Sequence, residues 1–255
     1  MEKQRKITGF ILKSGIITWI ILLAVWQFGS LFYSDDFVPG PFRTFAGAGK
    51  LIESGDLAKD IAISMQRVLK GWLLGILFAV PAGLLIGHFK KIGLIFEPFL
   101  NFFRFVPAIG FITLFLMWFG VGERSKVALI FYAVIFPVMI NTIAGVRAVD
   151  DSLVEASQSL GAAGIRTFFT VVVPSAVPGI FTGVRLGLSG AIVCIVAAEM
   201  LAASEGIGYL IYTSRLYYKT DWIFIGIFTL GIIGFLADRI LQWAGRKFLR
   251  KYGVH

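Results

Sequence analysis

The chain has 255 residues, 57% of them hydrophobic and only 15% charged, far below the roughly 25% charged of soluble domains. With a mean hydropathy of +0.83 and apolar residues gathered in long blocks without helical or strand periodicity, water is the wrong solvent for most of it. The formal charge of +9 does not point to nucleic acid, because the basic residues flank the apolar blocks, as in 1–13 and 246–251, where they orient spans in a bilayer.

A helix needs about 20 mostly apolar residues to cross a hydrocarbon core of about 30 Å. By that criterion spans are expected near 15–33, 70–88, 98–119, 127–146, 179–203 and 222–243, an all-α integral membrane fold of about six transmembrane helices in one domain, 1–255. Lys3, Arg5, Lys6 and Lys13 precede the first span as in a signal peptide. Its apolar stretch is too long for that reading and is followed by Ser34-Asp35-Asp36 in place of a small-residue cleavage site, so it is read as an uncleaved span.

Segment 34–69 is expected outside. It opens with Val38-Pro39-Gly40-Pro41, an extended turn. An amphipathic helix over about 44–64 is then predicted, with Lys50, Glu53, Asp56 and Asp60 wet and Leu51, Ile52, Leu57 and Ile61 on the membrane. Arg67 is counted among the outer charges. Glu97 and Arg104 interrupt the start of the third span, and Pro81, Pro107 and Pro137 are expected to kink theirs. Gly71 with Gly75, Gly83 with Gly87, and Gly179, Gly183 and Gly187 recur every fourth residue, as in closely packed membrane helices.

The longest cytoplasmic loop, 147–178, lies between the fourth and fifth spans. Ser152 and Glu155 have capping-box spacing, predicting a helix from Leu153 to about Leu160. Gly161 allows a left-handed stop. A second helix from Gly164 is expected to end before Pro174, giving a helix-turn-helix across the membrane surface. The outer loop 204–221 follows the fifth span. Both termini are placed in the cytoplasm from the positions of Lys and Arg.

Charges inside spans are costly and usually face a water-filled cavity or a partner. Arg104, Arg185 and Glu199 are the candidates. Arg185 and Glu199 stand 14 positions apart, too far along one helix to touch, so each needs another partner. Two readings stay open. Arg104 or Arg185 presents positive charge to an anionic solute near Thr113, Asn141 or Ser189. Otherwise the arginines are interfacial and Glu199 is structurally paired. Cys194 is the only cysteine and His88 and His255 the only histidines, so a metal site is not expected. No phosphate-binding GxxxxGK[ST] loop is present, and no set of catalytic side chains falls in the spans.

Glu155-Ala156-Ser157, followed by Gly161 and by Val171-Val172-Val173-Pro174, resembles the EAA loop of binding-protein-dependent ABC importer permeases. Val38-Pro39-Gly40-Pro41, Arg67-Val68-Leu69-Lys70-Gly71, Arg104-Phe105-Val106-Pro107, Trp118-Phe119-Gly120-Val121-Gly122-Glu123, Gly183-Val184-Arg185 and Ala198-Glu199 are similar to segments of the nitrate, bicarbonate, taurine and alkanesulfonate branch. The resemblance implies a permease subunit of a bacterial inner-membrane importer, without enzymatic activity of its own. It further implies that Glu155, Ala156, Ser157, Gly161 and Pro174 form a coupling loop docked on a cytoplasmic ATP-binding subunit, which holds the ATP and Mg. A second permease copy and an extracytoplasmic solute-binding protein complete the complex. The candidate pathway residues, from the charges and prolines inside the spans, are Arg104, Pro107, Thr113, Asn141, Arg185, Ser189 and Glu199. Serine replaces the second alanine of the motif, and Thr113 stands where many members have a second proline. The alternative is a stand-alone ion-coupled carrier or channel titrating through Arg185, Glu199 and Asp238.

Overall fold

The computed structural model describes residues 16–34 and 36–254. The basic residues before the first span, and Asp35, lie outside that range. Among the described residues the chain is helical and has no strand. In chain order the helices are α1 (Ile16–Ser30), α2 (Pro41–Glu53), α3 (Asp56–His88), α4 (Lys90–Phe103) and α5 (Ile112–Phe119), the last entered through a 3-10 turn, Ala108–Phe111. Then come α6 (Glu123–Arg147) and α7 (Asp151–Ser159). α8 (Ile165–Ala202) contains a π turn at Phe168–Val172. α9 (Ile207–Leu216) and α10 (Thr220–Phe248) complete the set.

Four of these, α3, α6, α8 and α10, are long and apolar enough to cross a membrane. The expected third span is two helices, not one: α4 and the stretch Ala108–Phe119 qualify together but are bent by 85°. The break falls at Arg104–Pro107, where proline cannot donate to the preceding turn. Pro81 and Pro137, by contrast, sit inside continuous helices. Of the first expected span, the described part is α1, 15 residues long.

The predicted helix over 44–64 is also corrected. α2 stops at Glu53, and Gly55, at φ +79°, makes a left-handed turn open to glycine. Ser54 Oγ then accepts from the Asp56 amide at 3.4 Å, and α3 starts there. Residues 56–69 therefore belong to a spanning helix, and Arg67 is buried within it, 5% exposed.

The chain forms two compact units. One comprises the described residues up to Lys59 with Leu210–Phe228. In it Trp26 stacks on Phe224 at 5.3 Å between ring centroids and donates its indole N–H to Pro39 O at 3.0 Å. Thr220 donates to Asp36 O at 2.5 Å.

The other unit, residues 60–209 with the described residues from Thr229 onward, is built on α6. Gly71, Gly75, Gly83 and Gly87 of α3 face Ile130, Val134, Thr142 and Val146 of α6 in turn. The register rises together on both helices, so α3 and α6 run parallel. On α6's other side Gly179 meets Gly145, Gly183 meets Asn141 and Gly187 meets Val138, an antiparallel register. A Cβ on Gly179 would lie 2.6 Å from Gly145 Cα and 3.0 Å from Asn141 O, both immovable backbone. The glycine faces thus serve packing within the chain. Two parallel spanning helices in contact require the chain between them to return across the same depth, so the bent pair is a crossing in two pieces.

Gly179→Ala is expected to lower the melting temperature of the detergent-purified protein, by overpacking that costs about 1–3 kcal/mol. Gly231→Ala, where nothing lies within 4 Å of the added Cβ, leaves it unchanged or slightly raised.

Candidate functional site

Two constructions stand at opposite ends of α8. At its C-terminal end a carboxylate is buried in a closed set of donors. Glu199 is 0% exposed. Its carboxylate accepts from Arg67 Nη1 at 2.7 Å, from Ser64 Oγ at 2.9 Å and from the Gly208 amide at 2.8 Å. Ser64 Oγ in turn accepts from the Ile207 amide at 2.9 Å, and Asp60 accepts from the Gly206 amide at 2.7 Å. Three successive amides at the start of α9 thus end on side chains of α3 and α8, the arrangement a helix N-terminus requires. Only glycine fits at 206: φ is +117°, and a Cβ would lie 2.4 Å from the Glu199 carboxyl.

Arg67 reaches further. Its Nε and Nη2 bind both oxygens of Glu123 at 2.7 Å, and Nη1 also donates to Glu205 O at 2.8 Å. Lys126 Nζ lies 3.2 Å from Glu123. One guanidinium therefore ties α3, the start of α6 and the α8–α9 turn together. The sequence analysis placed Glu199 among the candidates but missed Arg67 as its partner. A signal was available, an arginine and a lone glutamate each beside an apolar run.

Arg185 is paired elsewhere: Nε and Nη2 bind Asp238 at 2.8 and 3.0 Å, and Gln242 donates to the same carboxylate at 2.7 Å. Arg104 has no such partner among the described residues. It ends α4 at the bend, exposed, with its guanidinium 4.7 Å from the Phe105 ring centroid. The neighbouring Phe103 carbonyl accepts from Tyr132 Oη at 3.3 Å. Tyr132 lies nine residues into α6, about 14 Å along its axis. Arg104 thus lies beside the first half of α6, at the break between the two pieces of the crossing. Pro107 caps the 3-10 turn, Thr113 and Ser189 are exposed on α5 and α8, and Asn141 donates to Pro137 O at 2.8 Å. Among the described residues no hydrogen bond or ion pair joins Arg104, Thr113, Asn141 and Ser189.

At the other end of α8 lies the loop that carries the EAA resemblance. The capping box is not formed. Asp150 is the N-cap, accepting from the Ser152 amide at 2.9 Å, and α7 begins at Asp151. That bond holds the Asp150 carboxyl below the usual carboxylate range. Gly161, at φ +87°, and Gly164, at φ +57°, turn the chain. Ser157 Oγ donates to Val154 O at 2.9 Å and meets Thr167 Oγ1 at 3.3 Å, which donates to Ala162 O at 3.1 Å. Serine at the second alanine position thus braces the turn from inside. Phe168, Val172, Ala176 and Val146 bury together with Val154 packed on them. Glu155 and Ala156 are exposed, as are Leu153, Leu160 and Ile165. The second helix does not end before Pro174. Its π turn, Phe168–Val172, shifts the hydrogen bonding just ahead of the proline, whose missing donor then interrupts nothing. At α6's end the Arg147 guanidinium binds Glu97 of α4.

Parallel spanning helices, a broken crossing, paired intramembrane charges and a braced surface loop define a multi-pass helical membrane protein. Residues 71–250 match the model of the binding-protein-dependent transport system inner membrane component, and the chain belongs to that family of importer permease subunits. It is 39% identical over 210 residues to a probable ABC transporter permease protein of Brucella melitensis, covering 82% of this chain and 85% of the relative. It is 35% identical over 238 residues to a putative aliphatic sulfonates transport permease protein of Bacillus subtilis, covering 92% and 86%. The fold is similar to the MetNI methionine ABC transporter in inward-facing conformations, with TM-score 0.62 at 16% identity, over 77% of this chain and 95% of that one.

Glu199→Ala leaves Arg67 and the α9 amides without their buried acceptor and is expected to cost about 3–5 kcal/mol, read as loss of monodisperse protein or a large drop in melting temperature. Glu199→Gln keeps an acceptor oxygen and should lie between the two.

Proposed function

We propose that this subunit carries a small organic sulfonate or a comparable oxyanion, and that Arg104 is the group that meets it. The supporting observation is the exposed guanidinium at the 85° break between α4 and the Ala108–Phe119 stretch, without a carboxylate partner among the described residues. Between the two pieces of a crossing an exposed arginine is tolerated where it lines water. Arg185 and Glu199 are spent on Asp238 and Arg67, so neither presents net charge. The sulfonate relative favours that substrate class among the anions.

The loop over α7 and residues 160–164 docks on a separate ATP-binding subunit, which holds ATP and Mg, in the cytoplasm with both termini. Its exposed Glu155, Ala156, Leu160 and Gly161, held on a braced turn, fit such a contact, with Ser157 inside the brace and Pro174 behind the π turn. Closure of the ATP-binding subunits then displaces α8, and the helices packed on it shift between inward and outward states. A second copy of the chain and an extracytoplasmic binding protein complete the importer.

Gly161→Asp should leave the protein in the membrane, since Asp tolerates left-handed backbone and nothing lies within 4 Å of an added Cβ there, yet abolish co-purification with the ATP-binding subunit and ATP-dependent uptake. Full uptake by this variant would remove the coupling assignment.

Arg104→Gln and Arg185→Gln separate pathway from scaffold. Arg104→Gln is expected to lower sulfonate uptake about tenfold or more, the scale of one charge-assisted contact, at unchanged melting temperature. Arg185→Gln strands Asp238 and lowers the melting temperature instead. Equal uptake by Arg104→Gln and the native protein would exclude Arg104 from the pathway.

A further inference from the structure

We propose that the groove between α8 and α10 is a binding site for one acyl chain of an anionic phospholipid, with the headgroup held by the basic end of α10. The groove has a volume of about 440 Å³ and walls formed by Val177, Phe181 and Val184 of α8 with Leu241, Ala244 and Phe248 of α10. Its floor depends on Gly245. A Cβ there would lie 2.3 Å from Phe181 Cζ, so the glycine lets the Phe181 ring lie against α10 and leaves the space beside it open.

The two ends of the groove differ. Arg185 stands immediately beyond Val184 and Asp238 one turn before Leu241; they pair there, with Gln242 donating to Asp238, a polar stop that an acyl chain does not pass. On either side of Phe248 the chain carries Arg246, Lys247, Arg250 and Lys251, all exposed and without an ion-pair partner among the described residues. The 3-10 turn Arg250–Tyr252 is folded back toward the start of α8: at Gly253, φ +88°, a Cβ would lie 3.7 Å from Pro178. The turn that carries Arg250 and Lys251 thereby lies at this end of the groove, one turn past Arg246 and Lys247.

From Val177 to Val184 the groove runs roughly 10 Å along α8, within one leaflet of a hydrocarbon core about 30 Å thick. An apolar slot closed by a polar stop at depth and opened by four cations at the surface matches an amphiphile with an anionic head. Each surface Lys or Arg strengthens the attraction to an anionic lipid about fivefold.

The test is native mass spectrometry of the full-length chain, purified in detergent supplemented with equal amounts of phosphatidylglycerol and phosphatidylcholine. The native chain is expected to retain phosphatidylglycerol preferentially. Combined Arg246→Gln, Arg250→Gln and Lys251→Gln should reduce that preference at least tenfold, while Arg246→Lys with Arg250→Lys keeps it. Ala244→Phe, which fills the groove, should remove the retained lipid with the melting temperature unchanged. Equal retention of the two lipids by the native chain overturns the proposal, as does a preference that survives both the charge and the groove variants. Lipid unaffected by Ala244→Phe together with a change in the number of chains per particle assigns the groove to a second copy and overturns it equally.

Discussion

A carboxylate and a guanidinium enter a water-poor interior only together, and only when every remaining lone pair and proton finds a partner. Glu199 and Arg67 meet that condition by recruiting Ser64, Glu123 and the amides at the start of α9. The consequence is topological as well as energetic. Arg67 sits on α3, Glu123 opens α6 and Glu199 nears the end of α8, so the pair fixes the same end of three helices to one point. Such a network adds less net stability than its bond count suggests, because desolvating the charges offsets most of the attraction. What it supplies is register: slipping α3 by one turn would leave a buried charge without its partner.

Register at one point is sufficient because the glycine faces propagate it. Without water to drive apolar surfaces together, membrane helices associate through close packing. The α3 glycines bring that helix against Ile130, Val134, Thr142 and Val146, and Gly179 brings α8 to within backbone contact of Gly145. With α6 held from both sides, the sharpest irregularity falls in the crossing between α3 and α6. At the bend Pro107 has no amide hydrogen for the Phe103 carbonyl, which accepts instead from the Val106 amide at 3.1 Å and from Tyr132. Broken backbone at membrane depth is tolerated where it is covered by protein or lines water, which makes the bend the natural place for a polar route through the unit.

Sequence patterning carried the architecture well and the contacts poorly. Apolar block length located the helices, and the glycine spacing foretold which faces touch, since both are local properties of the chain. The loop's two turns were legible from Gly161 and Gly164. The cap was not: Asp150 and Ser152 are equally good capping residues, and only the path of the preceding chain decides between them. Arg67 was misplaced because its neighbours, read as the outer segment, are charged on one face. The helix continues through them, since that face meets Glu199, which lies 132 positions away. Charges beside apolar runs show that each needs a partner, but at that separation a single sequence does not say that they are each other's. Likewise Pro174 looked like a stop, and a π turn of five residues made it compatible with one uninterrupted helix.

That uninterrupted helix links the two constructions. α8 leaves the braced turn at Ile165, carries Phe168 and Val172 into the core, and ends in the Glu199 knot. The 32 positions from Thr167 to Glu199 span about 48 Å at 1.5 Å per residue. A helix gripped at both ends does not absorb displacement by bending freely; motion imposed at the loop must appear as sliding or rotation against α6 or be taken up at a weak point. The π turn is the one place where its hydrogen bonding departs from the α pattern, and it lies beside the loop, not at mid-membrane. Under the proposed coupling, movement of α7 would therefore be either cushioned there or passed whole to the Gly179–Gly145 contact. The tight packing at that contact, with no room for even a methyl group, favours α8 and α6 moving as one body, and leaves the bent crossing at Arg104 as the part free to change shape.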